Sequence, residues 1–346
     1  MLEKINQSPN EIIIRIEQSE FFSQIVLDFN YKRIKQLKSD VTSPFLIFKD
    51  LKILNLNGTS IQSLNENIFK CLFYLEKLDL SFNKIAQLHS NQFSSLKNLK
   101  VLNLSFSVIE KIEKNHFSEL VCCEELYLQT NSIRKLEKNL FENLKNLKLL
   151  KLWNNKIECI EPNSFNGLVN LEELDLNLNL IQKIENGMFS KLFNLKRLSL
   201  QHNRISKIGK NTFTIDLVRL EELNLRENEI REFSTNIFDK LIYLKVLRLD
   251  MNKIEKLCSY AFENLNYLRE IYLQENRIKS LKKKHFTNMI SLKVINLSDN
   301  RIQNIEFEVF DEMSKLTNLK LTNNPLNSID KEILQKKLEQ FVNINF

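Results

Sequence analysis

Histidine and cysteine are the residue types with which this chain could bind a metal or act as a nucleophile. The 346 residues include four of the first and five of the second. No His-Glu-x-x-His pair, Cys-x-x-Cys pair or glycine-rich phosphate loop occurs. Acidic residues are spread singly among lysines and arginines. The sequence therefore predicts no catalytic site, no metal site and no cofactor. The histidines are His89, His116, His202 and His285.

A second set of residues could form a binding surface for a protein. Tyr127 and Trp153, the chain's one tryptophan, are of the types that anchor protein interfaces. Large apolar side chains that gather on a soluble surface usually mark a partner's site. Whether such residues share a surface depends on the elements that position them. The full set is Phe82, Phe106, Tyr127, Trp153 and Leu178.

The element that positions them is a repeat of 24 residues. Every full copy has leucine or a similar residue at repeat positions 1, 4 and 6, usually asparagine at position 9, and phenylalanine at position 19. One copy, from Leu195 to Leu220, has 25 residues, and a degenerate copy covers residues 24–50. The regular copies begin at Leu51, Leu75, Leu99, Cys123, Leu147, Leu171, Leu195, Leu220, Leu244, Leu268, Leu292 and Leu316.

The spacing of these positions predicts stacked coils. Positions 4 and 6 lie on the same face of a short strand, because strand side chains alternate. Stacking sets the strands about 4.8 Å apart in a parallel sheet. The position 9 amide can donate to and accept from the next coil, which forms a ladder. Thr59 and Ser107 occupy that position with only a hydroxyl, so we expect two weaker rungs there.

Over roughly residues 24–329 the pattern resembles the leucine-rich repeat family, in the 24-residue subclass with phenylalanine at position 19. The resemblance implies an α/β repeat solenoid: a curved, right-handed horseshoe with a parallel concave sheet and an irregular convex side. The subclass is similar to Toll-like receptor ectodomains, Slit-type guidance proteins and small proteoglycan cores. It implies a non-enzymatic protein-binding module with a receptor-like or adhesion role, outside the cell or on its surface.

The ends of the array need caps. We expect an N-terminal cap strand region at residues 1–23, the array at 24–329 and a C-terminal capping helix at 330–346. The start of the chain lacks the apolar segment of a signal peptide, and no cysteine clusters cap the ends. A complete chain of this kind would be cytoplasmic, which favours the alternative of a cytosolic adaptor or regulatory scaffold. No apolar run approaches the length of about 18 residues that spans a membrane.

The repeat register places the apolar set at positions 5, 7 and 8, on or beside the concave face. Arg226, Arg248 and Tyr272 add a charged area on the same face. The sequence therefore predicts a protein partner on the concave face. The alternative is that position 8 packs locally against Val108 and Leu180 at position 10.

A basic stripe occupies the edge beside the sheet, at position 10. It either keeps the edge solvated or binds an anionic glycan, as in a structural matrix protein. Concave positions 3, 5 and 7 carry six basic and seven acidic residues, so we expect no nucleic acid despite the net charge of +7. The stripe consists of Lys84, Lys156, Arg204, Lys253, Arg277 and Arg301.

Three acceptor sequons fall within the array, at Asn57, Asn103 and Asn296. A glycan on Asn103 would crowd Phe106 and Tyr127. The cysteines lie too many coils apart for a disulfide or, where adjacent, in no position to form one. We therefore expect five free thiols.

Overall fold

The computed structural model describes residues 26–30, 45, 48–338 and 343–346. It divides into two compact units, one ending at Leu174 and the other beginning at Asp175. Each unit repeats the same coil: a three-residue strand, a tight turn, and an irregular return. The cap strand expected within residues 1–23 lies outside the described residues.

In the first unit the strands stack in parallel with no shift of register. Leu54 pairs with Leu78, and the pairing continues through Leu102, Leu126 and Leu150. These position 4 leucines are buried, whereas their strand neighbours at positions 3 and 5 lie on the other face of the sheet. The strands are Val26–Asp28 (β1), Ile53–Asn55 (β2), Lys77–Asp79 (β3), Val101–Asn103 (β4), Glu125–Tyr127 (β5), Lys135–Leu136 (β6), Leu149–Lys151 (β7), Cys159–Ile160 (β8) and Glu173–Asp175 (β9), the last at the unit boundary.

The second unit has the same architecture. Leu198 pairs with Leu223, and Leu247, Ile271 and Ile295 continue the column. The return segments of some neighbouring coils also pair in parallel through two-residue strands. These pairs are β6 with β8 in the first unit and two more in the second. The second unit's strands are Lys183–Ile184 (β10), Arg197–Ser199 (β11), Lys207–Ile208 (β12), Glu222–Asn224 (β13), Val246–Arg248 (β14), Glu270–Tyr272 (β15), Ser280–Leu281 (β16), Val294–Asn296 (β17), Asn304–Ile305 (β18) and Asn318–Lys320 (β19).

The core of each unit consists of columns of identical residues. Position 19 phenylalanines of neighbouring coils stack, with ring centroids 6.2 Å apart for Phe117 and Phe141 and 6.0 Å apart for Phe238 and Phe262. Offset stacking adds about 0.5–1.5 kcal/mol per pair to the burial of the rings. The leucines of positions 1, 4 and 6 fill the space between this column and the sheet.

The asparagine ladder forms as expected. The Nδ2 of Asn155 donates to the carbonyls of Leu128 and Leu152, both at 3.0 Å, and its Oδ1 accepts the N–H of Ile133 at 3.0 Å. Of the two hydroxyl rungs, Thr59 Oγ1 donates to the carbonyl of Leu56 at 2.8 Å. Ser107 Oγ is buried and makes no hydrogen bond within the described residues. Ser107 is therefore a weak rung, and the part of the preceding coil that Thr59 would join lies outside the described residues.

The C-terminal segment contains a helix and a further strand. The helix Ser328–Leu338 (α1) begins two residues before the expected 330, and its Leu334 is fully buried. Residues Asn343–Asn345 (β20) pair in parallel with β19 and extend the sheet by one strand. The sequence does not predict this strand, because its three residues, two of them asparagine, carry no strand signal of their own. That the segment serves as a cap stays a prediction.

Candidate functional site

The predicted binding residues lie at repeat positions 3, 5 and 7, on the face of the sheet here called the open face, or at position 8 directly beside it. Position 8 follows directly and turns the chain away from the sheet. Its N–H donates to the position 7 carbonyl of the next coil, as Phe82 does to Ser105 at 3.0 Å and Phe106 to Gln129 at 2.9 Å. This turn needs a left-handed backbone at position 8. Every regular coil has one there, from Gly58 at φ 65° to Asn323 at φ 57°.

Glycine and asparagine adopt this conformation readily, whereas a bulky side chain costs roughly 1–2 kcal/mol. Four coils nevertheless carry large apolar residues there, with φ between 52° and 55°. Local strain of this kind points to a role for the side chain beyond folding. The four are Phe82, Phe106, Leu178 and Met251.

In the first unit these side chains build an aromatic cluster. The rings of Phe82 and Phe106 stack with centroids 4.2 Å apart and 5° between their planes. Trp153 meets Phe106 edge to face at 6.0 Å, reaching across the coil between them. Phe82 is 51% exposed, and Val108 at position 10 is 47% exposed. The phenylalanines therefore pack on each other and leave Val108 open to solvent.

Trp153 and Tyr127 are more enclosed than Phe82. Both are half-buried. The Tyr127 hydroxyl donates to Glu125 Oε2 at 2.7 Å, and burial together with that carboxylate raises the pKa of Tyr127 to about 12. The hydrogen bond therefore holds the Tyr127 ring in place on the open face. Leu178, 46% exposed, belongs to the second unit.

The charged area in the second unit is arranged around a buried carboxylate. Asp250 is 1% exposed, and its Oδ2 lies 3.2 Å from Nε of Arg226. The guanidinium of Arg248 lies 4.3 Å from the centre of the Tyr272 ring. The Tyr272 hydroxyl donates to Glu270 Oε2 at 2.7 Å. Arg226, Arg248 and Tyr272 therefore lie in one area of neighbouring coils, and a binding role for them stays a prediction.

The basic edge is partly neutralised. Lys253 pairs with Glu229 at 2.9 Å, and Arg277 approaches Glu255 at 3.9 Å. No ion pair within the described part of the chain involves the remaining four residues of the stripe. These are Lys84, Lys156, Arg204 and Arg301.

The three sequon asparagines within the array are half-buried on the sheet side of their coils. Asn57 Nδ2 donates to Ser81 Oγ at 2.6 Å. The Oδ1 atoms of Asn103 and Asn296 each accept the N–H of the residue two positions on, at 3.1 Å. Their glycosylation stays a prediction.

Two further surface features escaped the sequence analysis. Position 2 alternates lysine and glutamate in the first unit, and Glu76 bridges Lys52 at 2.8 Å and Lys100 at 2.7 Å. The hydrogen bonds from Lys100 and Lys52 lower the pKa of Glu76 to about 2.

Large apolar residues are exposed at repeat positions 23 and 24, just before each strand begins. This feature and the alternation at position 2 both recur at fixed repeat positions, so the sequence could have predicted them. The exposed residues are Phe73, Tyr74, Val121, Phe193, Tyr243, Tyr267 and Ile290.

Neither metal chemistry nor a membrane helix is indicated by the described ranges. No group of three or more histidine, cysteine or acidic residues is placed to hold a metal ion there. No helix in the same ranges is long and apolar enough to cross a bilayer.

The chain belongs to the leucine-rich repeat family. The family model described as "Leucine rich repeat" matches residues 73–133, 123–180, 170–230, 193–254, 218–278 and 266–326. Members of this family are generally non-enzymatic binding modules. A search of curated proteins by sequence finds no match.

Solved structures share the fold. A chain of the TLR13–ssRNA13 complex is 27% identical with a TM-score of 0.69; the match covers 87% of this chain and 48% of that one, so this chain spans about half its length. An internalin (InlF) from Listeria monocytogenes is 22% identical with a TM-score of 0.70, over 94% and 87% of the two chains. A chain of the octameric complex of Latrophilin 3, Unc5D and FLRT2, in which FLRT2 supplies the leucine-rich repeat, is 21% identical with a TM-score of 0.68, over 92% and 89%.

Proposed function

We propose that this chain is a non-enzymatic module that binds a protein partner on the open face, with a receptor-like or adhesion role. One observation carries the proposal: bulky apolar side chains occupy a left-handed turn position that glycine or asparagine would fill more easily, and two of them, Phe82 and Leu178, are exposed. Aromatic residues at the centre of an interface are its usual anchors. The cluster of Phe82, Phe106 and Trp153 is the anchor.

Two single substitutions test the anchor. Phe82→Asn introduces the residue that Asn154 and Asn323 already provide at position 8. The relaxed backbone offsets the lost ring stacking, so the free energy of unfolding should change by no more than about 1 kcal/mol. Trp153→Ala should also leave the fold intact, because the indole lies on the open face and not among the core leucines. Each should weaken partner binding by about 2 kcal/mol or more if the cluster is a hot spot.

The matched control changes the basic edge, with Arg204→Glu and Arg301→Glu combined. Partners would be selected from a displayed protein library with the parent chain as bait, and each selected protein would then be titrated against all variants. The proposal requires loss of binding with Phe82→Asn and Trp153→Ala and retention with the edge variant. Retention by both aromatic variants would refute it.

The basic edge supports one other function, which is binding of a sulfated glycan. Its basis is the four cations without an ion pair at position 10 in the described coils. Heparin is a suitable probe. The glycan function predicts that the edge variant elutes from heparin at clearly lower salt and that Phe82→Asn elutes as the parent does.

A further inference from the structure

Asp250 is a buried carboxylate whose hydrogen bonding is incomplete. It lies at position 7 of its coil on the open face of the second unit, and its Oδ1 accepts no hydrogen bond from any described residue. In the next coil, at the same repeat position, Gln274 Oε1 likewise has no donor within the described coils. Two neighbouring acceptors thus stay unsatisfied. A buried polar group without a partner costs about 1–3 kcal/mol, so a ligand that supplies donors would recover that energy.

The two arginines nearby do not supply those donors. Arg226 Nε lies 3.2 Å from Oδ2 of Asp250 but makes no directed hydrogen bond in the described structure. Its Nη2 donates to the thioether of Met251 at 3.1 Å, and sulfur is a weak acceptor. Arg248 stacks on the Tyr272 ring instead. Arg226 therefore faces the carboxylate as an ion pair on its Oδ2 side, and an incoming guanidinium that took its place would keep Asp250 paired.

The charge of the surrounding face decides the sign of the ligand. Between Asp175 and Asn323, positions 3, 5, 7 and 8 carry seven acidic and four basic residues. The chain as a whole is basic, with a net charge of +7, whereas this face carries an excess of acidic residues. It favours a cation. Burial raises the pKa of Asp250, whereas its own backbone N–H, Arg226 and Arg248 act against this and Glu275 adds to it. A further cation at Oδ1 would favour the ionised form.

We propose that Asp250 and Gln274 form a recognition site for an arginine side chain of the protein partner. The site rests on the proposed function, since it presumes a protein ligand on the open face. A guanidinium carries five N–H donors in a planar fork, so one group can serve two acceptors on coils about 4.8 Å apart. An ammonium is a compact point charge and fits this pair of acceptors less well.

The test uses fluorescein-labelled hexa-arginine amide and hexalysine amide, with affinity measured by fluorescence anisotropy at near-physiological salt. The parent should bind the arginine peptide more tightly than the lysine peptide. Asp250→Asn should weaken arginine binding about tenfold or more. The matched control is Asp299→Asn, which removes the same charge from an exposed residue of the same face and should change affinity less than about threefold.

Equal losses in Asp250→Asn and Asp299→Asn, or equal affinity for the two peptides, would mean diffuse charge attraction and would overturn the site. If Asp250→Asn fails to fold by circular dichroism, Gln274→Leu replaces it, because its acceptor is unpaired in the free protein and the fold does not depend on it. Loss of the arginine preference in Gln274→Leu supports the site, and full retention refutes it.

The two proposals fail separately. If Asp250→Asn has no effect but Phe82→Asn still abolishes binding of a selected partner, the site falls and the protein-binding function stands. If the arginine peptide needs Asp250 while both aromatic variants bind every selected partner normally, the aromatic anchor falls and the arginine site stands.

Discussion

The asparagine at repeat position 9 joins each coil to the one before it. Its amide satisfies one N–H and two carbonyls that the turn would otherwise leave buried without partners, as Asn155 shows. A serine hydroxyl is too short to reach the same groups. At Ser107 the hydroxyl is buried without a partner within the described coils. In the next rung, the N–H of Ile109 donates to Asn131 at 2.9 Å. The equivalent group at the Ser107 rung is the N–H of Ile85.

We predict that Ser107→Asn stabilises the protein. The new amide should accept from the N–H of Ile85 and donate to the carbonyl of Leu80, with a gain of about 1 kcal/mol. The opposite change at an intact rung, Asn155→Ala, should cost about 1–3 kcal/mol. Denaturant unfolding measures both. Amide hydrogen exchange at Ile85 should slow in Ser107→Asn, and an unchanged rate there would contradict the ladder geometry.

Two short 3₁₀ helices, Lys114–His116 and Lys283–His285, begin with the same contact. The Nδ1 of His116 accepts the N–H of Glu113 at 3.0 Å, and that of His285 accepts the N–H of Lys282 at 3.2 Å. Both imidazoles are buried and must be neutral to accept. Burial, with Lys282 nearby, lowers the pKa of His285 to about 4. His116 and His285 are therefore structural parts of these turns.

This contact gives the fold a pH dependence. The pKa of His285 in the folded state is below its ordinary 6.5, so the unfolded chain takes up the proton first. The stabilisation is complete above pH 6.5 and is lost as the pH falls towards 4. When the pH falls from 7 to 4.5, protonation of His285 should lower the free energy of unfolding of the parent by about 2–3 kcal/mol. The variant His285→Gln should not show this loss. Glutamine keeps the acceptor without titrating, as Gln92 accepts the N–H of His89 at 3.3 Å in the same position of another coil.

Urea unfolding at several pH values measures the effect, with parent and variant compared at pH 7 and at pH 4.5. His116→Gln is the companion variant, because burial also lowers the pKa of His116. Parallel pH profiles of the parent and His285→Gln would show that His285 is not held neutral.

The elements differ in how much of them the sequence could predict. Strands, the asparagine ladder and the phenylalanine column follow from residues that recur at fixed spacing, so each copy reinforces the others. The left-handed backbone at position 8 could not be predicted, because the residues there vary from Gly58 to Phe106. The edge-to-face contact of Trp153 with Phe106 joins side chains two coils apart, and no local pattern encodes it. The burial of Asp250 likewise depends on its neighbours in adjacent coils.

At the scale of the whole molecule, contacts between neighbouring coils hold the array together. Every cysteine is a free thiol in the structure. Cys123 replaces a leucine at position 1 and is fully buried, so it serves as a core side chain. In repeat arrays, stability is approximately the sum of each coil and its interfaces with its neighbours. Such an array has no need of cross-links.

We therefore predict that reducing agents leave the melting temperature unchanged, and that five thiols per chain react in denaturant without reductant. Under native conditions the thiols should react in order of access. Cys159 is exposed and should react first. Burial blocks Cys123 and raises its pKa to about 12, so it should react only as the protein unfolds. Thiol counting with a chromogenic disulfide reagent gives both results. A count of three in a monomeric sample would require a disulfide, and with it a coil stacking different from the one described.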